Sequence, residues 1–396
     1  PNMGRYTRKF AVLEDLSTDM SKFLPNSSGR PRGFERELEG DGNWHALPAL
    51  RLEDGSKLDL FAVNDLSETK HIWKKFQRTA WHTPFQDFDW VNAWFKSKDQ
   101  NLRAKPLIIL GLKGQELQFI LPFSCETYFG MKQLLWIADE VNDYNCPLIK
   151  TEFLPQMTEK VVRKIYATIN RHVSGIDIFY LTKQPKTFAG FSNPFVSPGA
   201  RKSSCDAHIL SLNANWTHLY KNQRSAKSRS RLKQKTNRLK RKGNLHFKLI
   251  RDAQQQQVCI DRILKWKSVQ LEQNGARNPF DKRSHDPLSG PVLTRTIKKF
   301  AKVEANASPL RVYGLFLDDR MIAGLIAFVD KKTFSLFTMS YGPEVFTNCS
   351  AGTILLVKTI ELATRARLHT YDLNLTNLPG AIKGLGYTIV FSPEPP

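Results

Sequence analysis

The sequence is poor in the features that mark disulfide-rich, zinc-binding and membrane-spanning proteins. Its 396 residues include five cysteines, which are scattered and form no CxxC pair, so we expect neither a disulfide framework nor a zinc cluster. The longest apolar runs, such as 106–112, are far shorter than the roughly 20 residues that span a bilayer. No basic segment followed by an apolar one opens the chain, which predicts no secretory signal. A cytoplasmic location is the simplest interpretation, with attachment to the periphery of the inner membrane left open.

Acidic residues are missing from one long segment. The net charge is +22, and thirteen of the 59 Lys and Arg but no Asp or Glu lie within 207–251. We predict a single basic helix over 216–242, ended by Gly243. Its repeated like charges oppose the isolated helix, and an anionic partner would relieve them: RNA, an acidic glycan, a membrane surface or a CoA phosphate. A solvated face is the alternative, and the absence of interleaved aromatic residues weakens the case for nucleic acid.

The chain has enough apolar residues for two cores. Hydrophobic residues make up 41% of it, including 25 Phe and 8 Trp, and its length suggests two domains. Residues 1–55, rich in turn formers, are predicted to be a poorly ordered leader. Residues 56–184 are predicted to form one α/β domain with α+β mixed sheets, 185–204 a linker with Pro and Gly, and 205–396 a second such domain.

The second half has a distinctive order of predicted elements. Three strands joined by tight turns precede a helix and a further strand: 310–317, 321–329, 334–340, then helix 353–367 and strand 370–375. This order resembles the acyl-CoA-binding part of a GNAT domain. The first half repeats it loosely, so the fold is predicted to be two tandem GNAT-like domains.

A helix start in the second half is the strongest candidate for a binding site. Small polar residues (Ser350, Ala351, Gly352 and Thr353) open helix 353–367, and Ser340 closes the strand before it. The first N–H groups of a helix are unpaired and carry the positive end of its dipole, so they can bind a diphosphate. We assign all five residues to the cofactor-binding site. The alternative is that Ser350 is an ordinary N-cap.

Asp372 is the candidate catalytic group. In the last strand Tyr371 and Leu373 share one face, so Asp372 and Asn374 point the other way. A buried carboxylate beside a cleft can act as a general base or orient one, or it can merely hold a neighbouring loop. The histidines have no spacing that suggests a metal site or a catalytic triad. Cys349 lies near the helix start but has no identifiable base.

Taken in order, these segments resemble the CelD-type acetyltransferases of bacterial cellulose and exopolysaccharide synthesis, which are GNAT-superfamily members related to Fem-type peptidyltransferases. The resemblance covers about residues 60–390. The matching segments are 85–90, 120–123, 143–149, 239–243, Lys267 with 273–280, 350–356 and 371–373. The chain departs from the family at Ala351, which replaces a proline, and at Thr376, which replaces a glycine. The family lysine after the last strand is matched to Lys383 with a shift of one residue.

The resemblance implies an acyltransferase that moves an acetyl or acyl group from acyl-CoA to an amine or hydroxyl acceptor, without a metal. It implies catalytic roles for Asp372, Lys383 and Lys267, and work in polysaccharide or cell-envelope synthesis. Two alternatives remain open. One is a Fem-like transferase that uses aminoacyl-tRNA, and the other is a non-catalytic protein that binds anions or nucleic acid on the same fold.

Overall fold

The computed structural model describes residues 44–98, 104–128, 130–196, 200, 207–213, 215–275, 278, 280, 290–303, 308–330, 332–342 and 349–373. They form two large sheets, one from each half of the chain, and helices pack on both faces of each sheet. Each sheet combines antiparallel pairs with one parallel pair. The predicted α/β class with mixed sheets is therefore confirmed.

The first sheet has seven strands in the order β1-β2-β3-β4-β5-β7, and β6 pairs with β4. The strands are β1 (Trp44–Arg51), β2 (Lys57–Val63), β3 (Lys105–Lys113), β4 (Glu116–Tyr128), β5 (Met131–Trp136), β6 (Leu148–Ile149) and β7 (Ile178–Phe179). The helices are α1 (Lys70–Phe76), α2 (Phe88–Phe95) and α3 (Glu159–His172), with short 3-10 helices at Ser67–Thr69, Pro84–Gln86 and Thr151–Gln156. Helices α1 and α2 cover one face of the sheet and α3 covers the other. Strands β3 and β4 are consequently buried on both faces, which explains their unbroken apolar runs.

Strand β1 shows that the predicted leader was too long. Residues 44–51 pair with β2 in an antiparallel arrangement, so they belong to the first sheet, while residues 1–43 lie outside the described part. The register shifts between Leu47 and Leu50. The buried residues Trp44 and Leu47 face opposite sides of the sheet, Trp44 toward the core with α1 and α2 and Leu47 toward the core with α3, so the two-residue alternation that signals a half-buried strand is absent.

The predicted linker is also partly structured. Strands β8 (Thr187–Phe188) and β9 (Phe191–Ser192) form a small ribbon within it. Phe188 and Phe195 are buried in the core beneath α3, and Phe188 stacks on Trp81. The chain up to residue 196 therefore packs as part of the first half, because two apolar residues among the turn formers are enough to anchor it.

The second sheet has six strands in the order β10-β15-β14-β13-β12-β11. The strands are β10 (Ile209–Ser211), β11 (Leu245–Ile250), β12 (Leu310–Leu317), β13 (Arg320–Val329), β14 (Thr333–Tyr341) and β15 (Thr370–Asp372). The helices are α4 (Trp216–Gln223), α5 (Ala226–Lys240), α6 (Ala253–Gln273), α7 (Gly290–Phe300) and α8 (Ala351–Arg365). Helices α4, α5 and α8 pack on one face, and α6 and α7 pack on the other.

The basic segment forms two helices, so the prediction of one helix over 216–242 was wrong. Arg224 has extended backbone angles and Ser225 caps α5 by accepting a hydrogen bond from the Ser228 N–H. The break changes the direction of the chain, so that Leu219 of α4 and Leu232 and Leu239 of α5 enter one core. The apolar residues of the basic segment therefore do not form one continuous stripe. Each of the two helices has its own apolar face toward the core.

The two halves share a topology. In the first, β3, β4 and β5 form an antiparallel meander, and α3 leads to β7, which is parallel to β5. In the second, β12, β13 and β14 form the meander, and α8 leads to β15, which is parallel to β14. The looser repetition predicted from the sequence is thus present in the strand pairing.

An aromatic core joins the two halves. Phe328 of β13 lies 5.4 Å from Phe85 and 5.2 Å from Trp90, measured between ring centroids. Trp90 also contacts Phe300 of α7 at 5.4 Å. Most of these rings meet edge to face, the geometry that aromatic pairs favour. The face of the second sheet that carries α6 and α7 is therefore covered by helix α2 and by the 3-10 helix Pro84–Gln86 of the first half.

Candidate functional site at the start of α8 and the end of β15

Helix α8 begins at an unusual cap. Ser350 has φ 53° and ψ 43°, in the left-handed region, and its side chain does not cap the helix. The first helical hydrogen bond runs from the Ile354 N–H to the Ser350 carbonyl. The N–H groups of Ala351, Gly352 and Thr353 precede it and make no bond within the helix, so they carry the positive end of the helix dipole.

A lysine of α5 reaches this helix start. The Lys235 ammonium donates a hydrogen bond of 2.7 Å to the Ser350 hydroxyl. Lys235 lies between the buried residues Leu232 and Leu239, so α5 carries it on the flank that packs against the second sheet. A cation beside the positive end of a helix is electrostatically unfavourable on its own, and an anion bound between them would offset that repulsion.

The first half offers an internal comparison. Its equivalent helix, α3, is capped by Thr158, whose hydroxyl accepts a bond from the Val161 N–H, and Glu159 supplies a negative charge in the first turn. The start of α3 thus has a hydrogen-bond acceptor and a negative charge from its own segment and needs no anionic ligand. The start of α8 has neither a side-chain cap nor an acidic residue in its first turn. Of these two corresponding ends, only the one at α8 is suited to an anionic ligand.

The other residues predicted to bind the acyl donor fall into two groups, those at the start of α8 and Ser340, which lies elsewhere. Ala351 and Gly352 are buried at the helix start, and a Cβ added to Gly352 would lie 3.0 Å from Cδ1 of Tyr341, so a larger residue there would require the Tyr341 ring to move by a few tenths of an ångström. Ser340 is not brought to α8. Its buried hydroxyl donates to the Ile263 carbonyl of α6 at 2.7 Å, on the opposite face of the sheet. That bond explains why a polar residue is buried there.

Asp372 lies where β14 and β15 cease to pair in the described part of the chain. It is opposite Ser335, the last parallel partner. Tyr371 points toward α8, where its hydroxyl lies 2.9 Å from Thr359 Oγ1 and its ring stacks on Phe334. Asp372 points the other way, as predicted, and is 7% exposed.

A tyrosine of the first half contacts this carboxylate. The Tyr144 hydroxyl donates to Asp372 Oδ1 at 3.1 Å, across 228 residues of sequence. Burial, together with the negative charges of Asp372 and Asp143, raises the pKa of Tyr144 far above its usual range. The phenol therefore stays protonated at neutral pH and can donate to the Asp372 carboxylate.

Lys267 is separate from Asp372. It is half-buried on α6, between Ile263, which accepts from Ser340, and Gln270, whose amide donates to the Tyr341 carbonyl at 3.0 Å. Burial lowers the pKa of Lys267. This part of α6 packs against Ser340 of β14, whereas Asp372 lies opposite Ser335, five residues away on the same strand. Lys267 and Asp372 are therefore about 17 Å apart along the strand. Lys383, the third predicted catalytic residue, lies outside the described residues.

Sequence reasoning gave no specific role to Lys235 or Tyr144. Lys235 was one cation among many, although its position between Leu232 and Leu239 was a signal that it faces inward. Tyr144 lay in a matching segment but no chemistry singled it out. In the described ranges, no cluster of His, Cys, Asp or Glu could hold a metal ion, and no helix is long and apolar enough to cross a membrane.

Residues 226–381 match the family described as "Acetyltransferase (GNAT) domain". The match lies wholly in the second half and contains α5, α8 and β15. It confirms the predicted GNAT domain there, whereas the CelD-type subfamily stays a prediction. No curated protein sequence is significantly similar to the chain.

Several solved structures resemble the chain at low sequence identity. FemX is 9% identical with a TM-score of 0.50, over 81% of this chain and 92% of that one. A conserved protein of unknown function from Bacteroides thetaiotaomicron is 10% identical with a TM-score of 0.46, over 87% and 96%. A tandem GNAT protein from the clavulanic acid biosynthesis pathway is 11% identical with a TM-score of 0.39, over 83% and 94%. At this identity the likeness to FemX concerns the fold alone.

Proposed function

We propose that the protein transfers an acetyl or other acyl group from acyl-CoA to an amine or hydroxyl acceptor. The observation that carries this proposal is the Lys235 ammonium, held 2.7 Å from Ser350 at the start of α8. A diphosphate bound by the amides of Ala351, Gly352 and Thr353 would take its negative charge to both positive groups. The predicted basic segment would thus serve, at least through Lys235, to bind a CoA phosphate.

Strand β14 connects the proposed diphosphate site at the start of α8 with Asp372. Residues 336–341 pair with β13 on one edge, and no strand in the described part of the chain pairs with the other edge beyond Ser335. An open strand edge presents N–H and C=O groups to an extended ligand. The arm of CoA contains two amides that could pair with it. The thioester would then approach the point where β14 and β15 cease to pair in the described part of the chain.

Asp372 is proposed to act there as the general base or to orient the acceptor. The acceptor nitrogen or oxygen attacks the thioester carbonyl and loses its proton to the carboxylate, directly or through water. The tetrahedral intermediate collapses with cleavage of the C–S bond, and the CoA thiolate leaves and takes up a proton. Positioning both substrates supplies most of the rate in such a reaction. Lys267, and Lys383 by resemblance, are proposed to contribute positive charge to the reaction. A role in polysaccharide or cell-envelope synthesis rests on the resemblance alone.

The test is calorimetric titration of acetyl-CoA and free CoA into the full chain and two variants. Lys235→Ala should weaken binding of both ligands roughly 10- to 100-fold, since a hydrogen bond to a charged group contributes about 1.5–3 kcal/mol. Lys233→Ala is the matched control, because Lys233 is exposed on the same helix and carries the same charge. Equal affinities for the two variants, or no binding to the wild type, would refute the donor site.

A second function, transfer of an aminoacyl group from tRNA, is favoured by one further observation. Lys227, Arg231 and Arg238 are exposed and share with Lys235 one flank of α5, spaced at i, i+4, i+8 and i+11. The row extends about 16 Å, longer than one diphosphate needs. Uncharged and aminoacylated tRNA would distinguish the two functions. Aminoacyl-tRNA binding that weakens steeply with salt, and further in Lys227→Ala, would favour the second function. Binding of acetyl-CoA without tRNA would exclude it.

A further inference from the structure

The buried contact between Tyr144 and Asp372 links the first half to the proposed acceptor side of the second. The two side chains are 9% and 7% exposed, and the phenol oxygen and carboxylate oxygen lie 3.1 Å apart. Asp372 faces away from α8, so it lies on the sheet face that the first half covers. Tyr144 therefore lies directly beside the carboxylate to which the proposed acceptor would lose its proton.

The loop that carries Tyr144 is fixed from several directions. The Tyr144 carbonyl accepts a hydrogen bond from the Gln86 side chain at 3.0 Å, and the N–H of Asn145 donates to the Lys183 carbonyl at 3.0 Å. The Trp90 indole N–H donates to the Asn142 side chain at 2.8 Å. These groups are buried, so each bond has to be made for the loop to be stable there. Polar contacts of this density hold one loop geometry and thereby one position of the Tyr144 hydroxyl.

We propose that Tyr144 is a positioning residue that orients Asp372 and keeps it ionised, so that the acceptor side of the site is assembled from both halves of the chain. The inference rests on the proposed function for the role of Asp372. The physical reason is the direction of the bond: the protonated phenol donates to the carboxylate, which has no proton to give, and this donation stabilises the carboxylate over the carboxylic acid. The first half would then serve the reaction without a donor site of its own, in agreement with the satisfied start of α3.

The experiment follows the Asp372 carboxyl directly. The full chain is labelled with carboxyl-13C aspartate, the Asp372 resonance is assigned by its loss in Asp372→Asn, and its pH titration is recorded by NMR. In Tyr144→Phe the titration midpoint should rise by roughly half to one pH unit, the equivalent of one hydrogen bond of about 1 kcal/mol. An Asp372 midpoint that is unchanged in Tyr144→Phe would overturn the proposal and leave Tyr144 as packing between the halves.

Tyr166→Phe is the matched control. The Tyr166 hydroxyl is also buried, on α3, and has no hydrogen-bond partner in the described residues, so its removal deletes a buried phenol oxygen without touching Asp372. The Asp372 midpoint should be the same in this variant as in the wild type. If Tyr144→Phe does not fold, the reciprocal measurement replaces it. The Tyr144 ring-carbon signal should move in Asp372→Asn if the bond exists, and an unmoved signal would refute the bond.

Acetyl-CoA binding separates this inference from the proposed function. Tyr144→Phe should bind acetyl-CoA within about two-fold of wild type, because Tyr144 contacts neither α5 nor the start of α8. If acetyl-CoA binds to no variant, the donor site fails, and the Asp372 titration still decides whether Tyr144 sets the state of that carboxylate. If binding is lost only in Tyr144→Phe, Tyr144 belongs to the donor site and the positioning role is wrong.

Discussion

Raising the pH from 5 to 7.5 should destabilise the fold through one carboxyl group, that of Asp87. Asp87 caps α2 and accepts hydrogen bonds from the Asp89 N–H at 2.9 Å and from the Gln77 side chain at 2.9 Å. It is 6% exposed, next to the aromatic core that joins the halves. Burial, and then the charge of Asp89, raises the pKa of Asp87 to about 6, although His82 acts in the opposite direction.

The sign and size of the effect follow from linkage. The ordinary pKa of this carboxyl is 3.8, so between about pH 4 and 6 the folded protein holds a proton that the unfolded chain has released. Stability is therefore highest below 3.8 and falls as the pH rises through 6. A shift of about two units corresponds to roughly 3 kcal/mol in all, of which about 1.4 kcal/mol is lost between pH 5 and 7.5.

Urea unfolding at several pH values between 5 and 7.5 measures this slope in the wild type and in Asp87→Asn. Asparagine keeps an oxygen for the helix cap but cannot ionise, so the variant should lack this part of the slope. Its absolute stability also changes, because the contact with Gln77 is altered, and the slope is therefore the quantity compared. Asp89→Asn removes a charge that raises the pKa and should give an intermediate slope. Parallel lines for wild type and Asp87→Asn would refute the reasoning.

Two further predictions concern packing. Phe328→Ala should lower the free energy of unfolding by about 3–5 kcal/mol, and since its ring contacts Phe85, amide protection should fall in both halves; loss confined to the second half would contradict a shared core. Ser340→Ala removes the bond to the Ile263 carbonyl, which keeps its helical bond within α6, and should lower the free energy of unfolding by about 0.5–1.5 kcal/mol, with acetyl-CoA affinity unchanged. A ten-fold loss of that affinity would restore Ser340 to the donor site.

The fold was predictable where the sequence pattern of a helix or strand lay entirely within its own segment. Strands β12, β13 and β14 lie within one residue of the predicted 310–317, 321–329 and 334–340, because tight turns separate their apolar runs. Strand β1 was missed because its buried residues Trp44 and Leu47 face opposite sides of the sheet and so show no alternation. The break at Arg224 was missed because charge, and not apolar phase, dominated the interpretation of the basic segment.

The candidate site shows the same division between local and distant information. The start of α8 and the alternation at Tyr371 and Asp372 are local features, and the sequence placed both. The partners of these features are 115 residues away, at Lys235, and 228 residues away, at Tyr144. Such contacts are made by the packing of helices and sheets, and no periodicity within one segment encodes them.

The aromatic core between the halves bears on how the protein can be dissected. A fragment of residues 226–381, the part that matches the GNAT family, would expose Phe328 and Phe337 to water and lose edge strand β10. An apolar face of that kind promotes self-association, and an open sheet edge adds to the hazard. Aggregation of such a fragment would then reflect a missing neighbour and not a defect of its own sequence. Each half acts as an intramolecular solubility partner for the other, so a catalytic assay on one half alone would be misleading.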